Sequence, residues 1–201
     1  VLTFDEASHT YFWNGKRVPN VTSIIAHLTD YSHIPADRLR ELQERGKAIH
    51  KMVALAIRDD LAELPEWLRP YHQAWRSFVA FARFEPWESE QRVYHHRMGY
   101  AGTLDLAGTI HKGGGVLIDI KRSLYAGPAI GLQLAAYEMA RNETVERCRR
   151  TSSRWALELH EDGKYNLTPY EDEDDRIAFI ACLQQYRWRQ RHYPTPKEQA
   201  G

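Results

Sequence analysis

Gly102-Thr103-Leu104-Asp105-Leu106 and Leu117-Ile118-Asp119-Ile120-Lys121 are the two stretches whose reading decides the fold. Both set polar residues between branched apolar ones, the period-two pattern of a strand with one face inward. Gly99 precedes the first, and Gly113-Gly114-Gly115 separates the two. Such glycines mark turns, so Glu90–His96, Ala101–Ile110 and Val116–Lys121 are expected to form an antiparallel three-stranded meander. Residues two apart on a strand share a face. Asp119 and Lys121 should therefore project together, with Ile118 and Ile120 on the other side. Asp105 is expected to alternate in the same way with Leu104 and Leu106, and the turn can bring it beside Asp119.

Upstream of the meander, Thr10–Trp13 and Arg17–Val18 read as a hairpin about Asn14-Gly15. Pro19-Asn20 breaks it, and Asn20 or Thr22 can cap a short helix through Leu28. Leu39, Leu42, Ile49, Val53 and Ile57 recur at helical steps, with a gap near Gly46, and predict a long helix over Ala36–Asp60. Pro70–Phe84 predicts a second. Downstream, Gly127–Arg141 returns to helical periodicity. Arg154–His160 and Tyr165–Tyr170 read as strands about Asp162-Gly163, and Glu171–Tyr193 as a final helix stopped by Pro194 and Pro196. This order implies an α/β fold, a mixed sheet containing an antiparallel meander and flanked by helices on both faces. One domain over residues 1–201 is expected, with hairpin and helices to residue 85, a core at 86–141, and closing strands and helix at 150–193.

The chain has 201 residues and is 43% hydrophobic, enough for a sizeable core. No apolar run approaches the ~18 residues that suggest a membrane span. The start, at Val1 rather than Met, lacks the basic-then-apolar pattern of a signal peptide. Cys148 and Cys182 are too few for a disulfide framework or the thiolate set of an iron–sulfur cluster. A reduced, cytoplasmic setting, in a bacterial or phage-infected cell, is expected. The formal net charge of zero argues mildly against a nucleic-acid binder, although carboxylates gathered around metal would mask basic residues elsewhere. Arginines cluster at Arg147–Arg154 and Arg187–Arg191, and acids at Glu171–Asp175. Solvated faces explain these runs as well as a ligand does. An acidic start and basic finish on the last helix also suit its dipole.

Two carboxylates and an ammonium on one sheet face are costly unless something offsets them. A divalent cation would do so, and Mg²⁺ needs few protein carboxylates because it keeps several waters. A structural Asp–Lys ion pair is the alternative that this spacing leaves open.

Four motifs in order add to that reading: Gly46-Lys47-Ala48-Ile49-His50 on a helix, Gly102-Thr103-Leu104-Asp105 on a strand, Asp119-Ile120-Lys121 on the next, and Gln133-Leu134-Ala135-Ala136-Tyr137 on the following helix. With Val18-Pro19-Asn20-Val21-Thr22 upstream, the chain resembles the RecB-like branch of the PD-(D/E)xK nucleases, which includes phage exonucleases and the mitochondrial genome-maintenance exonuclease. The resemblance runs from about Val18 to Tyr137. It implies a restriction-endonuclease-like core with Asp105, Asp119 and Lys121 as catalytic residues. It also implies one or two Mg²⁺ or Mn²⁺ ions held by His50, Asp105, Asp119 and the carbonyl of Ile120. Gln133 and Tyr137 would contact nucleic acid or support the metal shell, with helix packing as the alternative. Thr22, Arg122 and Ser123 could bind phosphate, and Glu90 could add an acidic ligand or base.

The activity so implied is metal-dependent hydrolysis of DNA, as an exonuclease on single-stranded or end-bearing DNA in recombination, repair or replication. A recombination or replication partner protein is expected, a membrane partner and an iron–sulfur cluster are not. An inert DNA- or protein-binding scaffold, and a nuclease acting on RNA, are the competing readings.

Overall fold

A computed structural model describes residues 1–111, 113–122 and 127–193. The chain opens on a small antiparallel sheet of β1 (Leu2–Asp5), β2 (Thr10–Trp13) and β3 (Lys16–Val18). Asn14 and Gly15 turn β2 into β3 with φ of 49° and 77°, the doubly positive geometry that matches strand twist. Asn20 then caps α1 (Val21–Ile25), its Oδ1 accepting from the Ser23 amide at 2.8 Å. Two longer helices follow, α2 (Ala36–Ile57) and α3 (Arg69–Ala82), the latter with Pro70 in its first turn.

The main sheet runs in the order β4 (Glu85–His95), β5 (Tyr100–Thr109), β6 (Gly115–Lys121), β7 (Thr151–Leu159) and β8 (Tyr165–Pro169). The first three strands form the expected antiparallel meander. Helix α4 (Ala129–Asn142) separates β6 from β7, which pair in parallel, so the sheet is mixed. Strand β8 closes a hairpin against β7, and α5 (Asp174–His192) ends the fold. Ile24, Tyr100, Leu117, Leu134, Phe179 and Leu183 build a core between one sheet face and α1, α4 and α5. Ile49, Val53, Phe78, Ile118, Ile120 and Leu157 build another between the opposite face and α2 and α3. Helices thus flank the sheet on both faces, as the order of elements implies. Among the described residues no helix is long and apolar enough to cross a membrane.

Three details depart from the sequence reading. Strand β1 is additional, zipped onto β2 from Leu2–Trp13 to Asp5–Thr10. Strand β4 starts at Glu85 rather than Glu90 and absorbs a register shift between Pro86 and Glu88. The third departure matters most. Strict alternation would place Leu104 and Leu106 on one face, yet Leu104 packs in the α4/α5 core and Leu106 in the α2/α3 core. The alternation breaks at Asp105. On the neighbouring strand, between the pairs Ser89–Leu106 and Gln91–Leu104, Glu90 has a φ of 51°. A left-handed residue in mid-strand turns the pleat out of phase and kinks the pair of strands.

Candidate active site

The kink opens the meander where its carboxylates lie. The β5–β6 ladder runs from Thr109–Gly115 to Leu106–Ile118. One step further the same register would set Asp105 across from Asp119. Instead, Asp105 Oδ2 accepts from the Ile120 amide at 2.7 Å. A side chain has taken the donor that the ladder would otherwise use, which satisfies a buried N–H while the strands separate.

Helix α2 supplies the imidazole. Ile49, Met52 and Val53 anchor it in the core, which directs His50 at the opening. His50 Nε2 lies 2.9 Å from the Ile120 carbonyl. Its Nδ1 lies 3.4 Å from Asp105 Oδ1 and 3.5 Å from Glu90 Oε1. Ligand atoms of His50, Glu90 and Asp105 fall within 4.8 Å of one another. Glu90 reaches this cluster because of its left-handed backbone, a conformation that costs a residue with a side chain about 1–2 kcal/mol. Strain of this kind persists where the surroundings enforce it, often at functional sites.

Asp119 is only 2% exposed. Its Oδ1 accepts from Gln133 Nε2 at 3.1 Å. Lys121 Nζ lies 2.8 Å from Oδ2 and forms an ion pair with it. Gln133 also reaches Tyr137 Oη at 3.4 Å. Tyr137 lies so close to β5 that a Cβ on Gly102 would meet its ring at 2.4 Å, which explains the glycine.

The electrostatics follow from burial and proximity. Burial raises the pKa of Asp119, Lys121 lowers it and Asp105 raises it again, with the net result pushed up to about 6. Burial works to raise Asp105 too, but His50 and Lys121 overcome it and hold this carboxyl below its usual range. Burial would lower His50, yet Asp105 and Glu90 drive it well above an ordinary histidine. Lys121 is raised by Asp119 and Asp105 against the same burial. Three carboxylates thus face one imidazole and one ammonium. A hard divalent cation suits this donor set.

His50, Glu90, Asp105, Asp119, Lys121, Gln133, Tyr137 and Thr22 line one cavity of about 610 Å³. Thr22 Oγ1 donates to Asn20 Oδ1 at 2.8 Å. The side chain of Ile120 is buried in the α2/α3 core, and its carbonyl is the one that faces His50. Arg122 is not brought into this group. It lines a separate cavity of about 410 Å³ with His160, Asp162 and Lys164, since the residue after Lys121 points to the opposite face. Ser123 lies outside the described residues. The sequence reading missed Phe4, His9, Tyr11, Lys47 and Arg92, which also line the cavity of the carboxylates. Lys47 sits inside the quoted helical motif, and Arg92 is two residues from Glu90, so both were within reach of pattern. The aromatic residues arrive through docking of the N-terminal sheet, which no local pattern announces.

Parts of the charge runs also turn inward. Arg154 Nη1 pairs with Asp175 Oδ2 at 3.1 Å, and Arg176 Nη2 with Glu138 Oε2 at 2.9 Å. Arg154 and Asp175 therefore join α5 to the sheet.

No family model and no curated protein matches this chain. Among solved structures it is similar to an alkaline exonuclease from Laribacter hongkongensis, at 14% identity and a TM-score of 0.38, over 88% of this chain and 94% of the other. A structure of the same exonuclease in complex with dAMP aligns at 13% identity and a TM-score of 0.34, over 87% and 92%. Likeness at this level decides nothing about function, which the side chains of the cavity have to carry.

Proposed function

We propose that the chain is a metal-dependent nuclease of the PD-(D/E)xK class that hydrolyses phosphodiester bonds in DNA. The observation that carries this reading is the acid excess of one cavity. His50, Glu90 and Asp105 present ligand atoms to a common centre there, beside the buried Asp119–Lys121 pair. A purely structural ion pair needs neither the extra carboxylates nor the strained backbone of Glu90.

The residues that would hold Mg²⁺ or Mn²⁺ are His50, Glu90, Asp105 and Asp119. When bound, the ion supplies a polarised phosphoryl oxygen and a water of lowered pKa. His50 donates from Nε2 to the Ile120 carbonyl, which fixes the ring and leaves Nδ1 turned to the carboxylates. Gln133 steadies Asp119 through Oδ1, and Lys121 pairs with Oδ2. The Lys121 ammonium orients the attacking water and stabilises the negative charge that grows on the phosphate oxygens. Thr22 offers a hydroxyl to the substrate phosphate. Exonucleolytic action on single-stranded or end-bearing DNA, in recombination, repair or replication, is the finer form of the reading.

Cleavage of end-labelled single- and double-stranded DNA with Mg²⁺, Mn²⁺ or EDTA tests it, with wild type beside Asp119→Ala. Degradation that needs metal and disappears in the variant is expected, and the product ladder distinguishes exo- from endonuclease action. A folded wild-type protein that cleaves no DNA with either metal would overturn the reading.

A further inference from the structure

The cavity has a second chemistry that the proposed hydrolysis does not use. Phe4, His9 and Tyr11, from β1, β2 and the loop between them, line it together with the carboxylates and Lys121. Phe4 packs on Tyr11 with ring centroids 4.5 Å apart, and His9 meets the Phe4 ring edge-on at 5.1 Å. The Arg92 guanidinium lies 5.1 Å over the same Phe4 ring. This wall is fixed in place. Tyr11 is 3% exposed and its hydroxyl is 2.8 Å from Thr103 Oγ1, while the Ala101 amide donates to the Pro19 carbonyl at 2.9 Å. Phe4 remains half-buried and His9 exposed.

The wall and the ionic cluster share one strand pair. Arg92 pairs with Thr103 in the β4–β5 ladder, two residues along from Glu90 and Asp105, roughly 7 Å of strand. One cavity thus holds aromatic rings together with a group built for a cation and phosphate. Its volume falls in the ~300–1,000 Å³ range of pockets that enclose small ligands, a space for single nucleotide units and not for a stacked duplex.

We propose that Phe4 and His9 form a stacking platform for one unpaired base of a single-stranded nucleic acid whose phosphate lies at the His50–Glu90–Asp105 cluster. The inference rests on the nuclease reading and deepens it by naming the substrate form. Every base offers a π-face, so the platform takes any sequence but requires that the base be unpaired. Arg92, over Phe4, adds a cationic edge beside the adjoining phosphate.

The test compares wild type, Phe4→Ala and Phe4→Trp, with calcium present as the divalent cation. Each binds a fluorescein-labelled single-stranded oligodeoxynucleotide and an abasic phosphodiester backbone of equal length. Phe4→Ala should weaken binding of the base-bearing strand by roughly 5- to 150-fold, leave the abasic backbone unchanged, and be rescued by Phe4→Trp. A 2-aminopurine placed along the strand should show a fluorescence change on binding wild type that Phe4→Ala abolishes. Equal loss on both ligands would show that Phe4 only supports the fold, and no loss on either would show that no base rests there; both overturn the proposal while the nuclease reading stands. Wild type that binds neither ligand would overturn the nuclease reading as well.

Discussion

Two clusters of buried charge differ in one respect that separates structure from chemistry. Under α4 and α5, Arg154 and Arg176 meet Glu138 and Asp175, two cations against two anions. Arg154 also donates to the carbonyls of Asp172 and Gly131. In the split between β5 and β6, three carboxylates face His50 and Lys121. There the Glu90 backbone is strained and the group opens into a cavity. The first cluster balances its charge within the chain. The second is an acid excess open to a cavity, where a divalent ion would supply the missing positive charge. Buried charge is thus a sign of function where its compensation has to come from outside.

The sharpest way to break this contrast is a crossed pair of substitutions. Lys121→Met should lower the turnover number for DNA cleavage by about 10²–10³-fold with little change in melting temperature. Arg154→Ala should leave turnover within about threefold, but by stranding Glu138 and Asp175 it should cost about 3–5 kcal/mol, a drop of roughly 6–20 °C in a chain of this size. Calorimetry and a cleavage assay on both variants would show whether the two effects separate; if Lys121→Met melts early and cleaves normally, the contrast fails.

Gln133→Ala tests the support of Asp119. Loss of an outer hydrogen bond to a ligand should weaken metal affinity or activity by about 10–100-fold, measured by Mn²⁺ titration of the protein's thermal shift and by initial rates. Wild-type values for both would leave Gln133 a packing residue.

The pH dependence comes next. His50 is held well above its usual range and Asp119 at about 6, so an entering cation has to displace protons. Stabilisation by Mn²⁺ should therefore be larger near pH 8 than near pH 5. In metal-free protein the sign for Asp119 follows from its raised value. The folded state binds this proton more tightly than the unfolded chain, so the contribution is present below its unfolded value of 3.8 and lost as pH climbs to about 6. Thermal shifts that grow as pH falls would contradict the proton competition.

The smallest effect concerns Glu90. Glu90→Gly relieves the left-handed backbone and should raise the metal-free stability by about 1 kcal/mol, while weakening Mn²⁺ binding. A variant that is less stable and binds Mn²⁺ normally would remove Glu90 from the cluster.

The meander and its Asp105, Asp119 and Lys121 were legible because strand periodicity is local: alternation and glycine turns state which residues share a face. Asn20 as a cap and Asn14-Gly15 as a turn were legible for the same reason. His50 and Gln133 were reached only through motif resemblance, since a single polar residue on a helix does not say what it faces. Glu90 was legible only in part. Its type and nearness suggested a ligand, but the period-two reading placed it on an ordinary strand end, and the kink that aims it depends on pairing with β5. The same kink defeated the expected common face of Leu104 and Leu106.

By itself, then, the sequence determined the strands of the main sheet, the longer helices, the layered α/β arrangement and the charged residues set on the meander. Periodicity, caps and turns act over a few neighbouring residues and can be read along the chain. Only the tertiary structure decided that the β5–β6 ladder stops at Leu106, that Asp105 takes the Ile120 amide, and that Arg122 faces away from the cavity. It alone decided that Phe4 and His9 stand beside Asp105, about a hundred residues along the chain. Those outcomes balance backbone strain, desolvation and long-range docking, and none of these is a property of a short stretch of sequence.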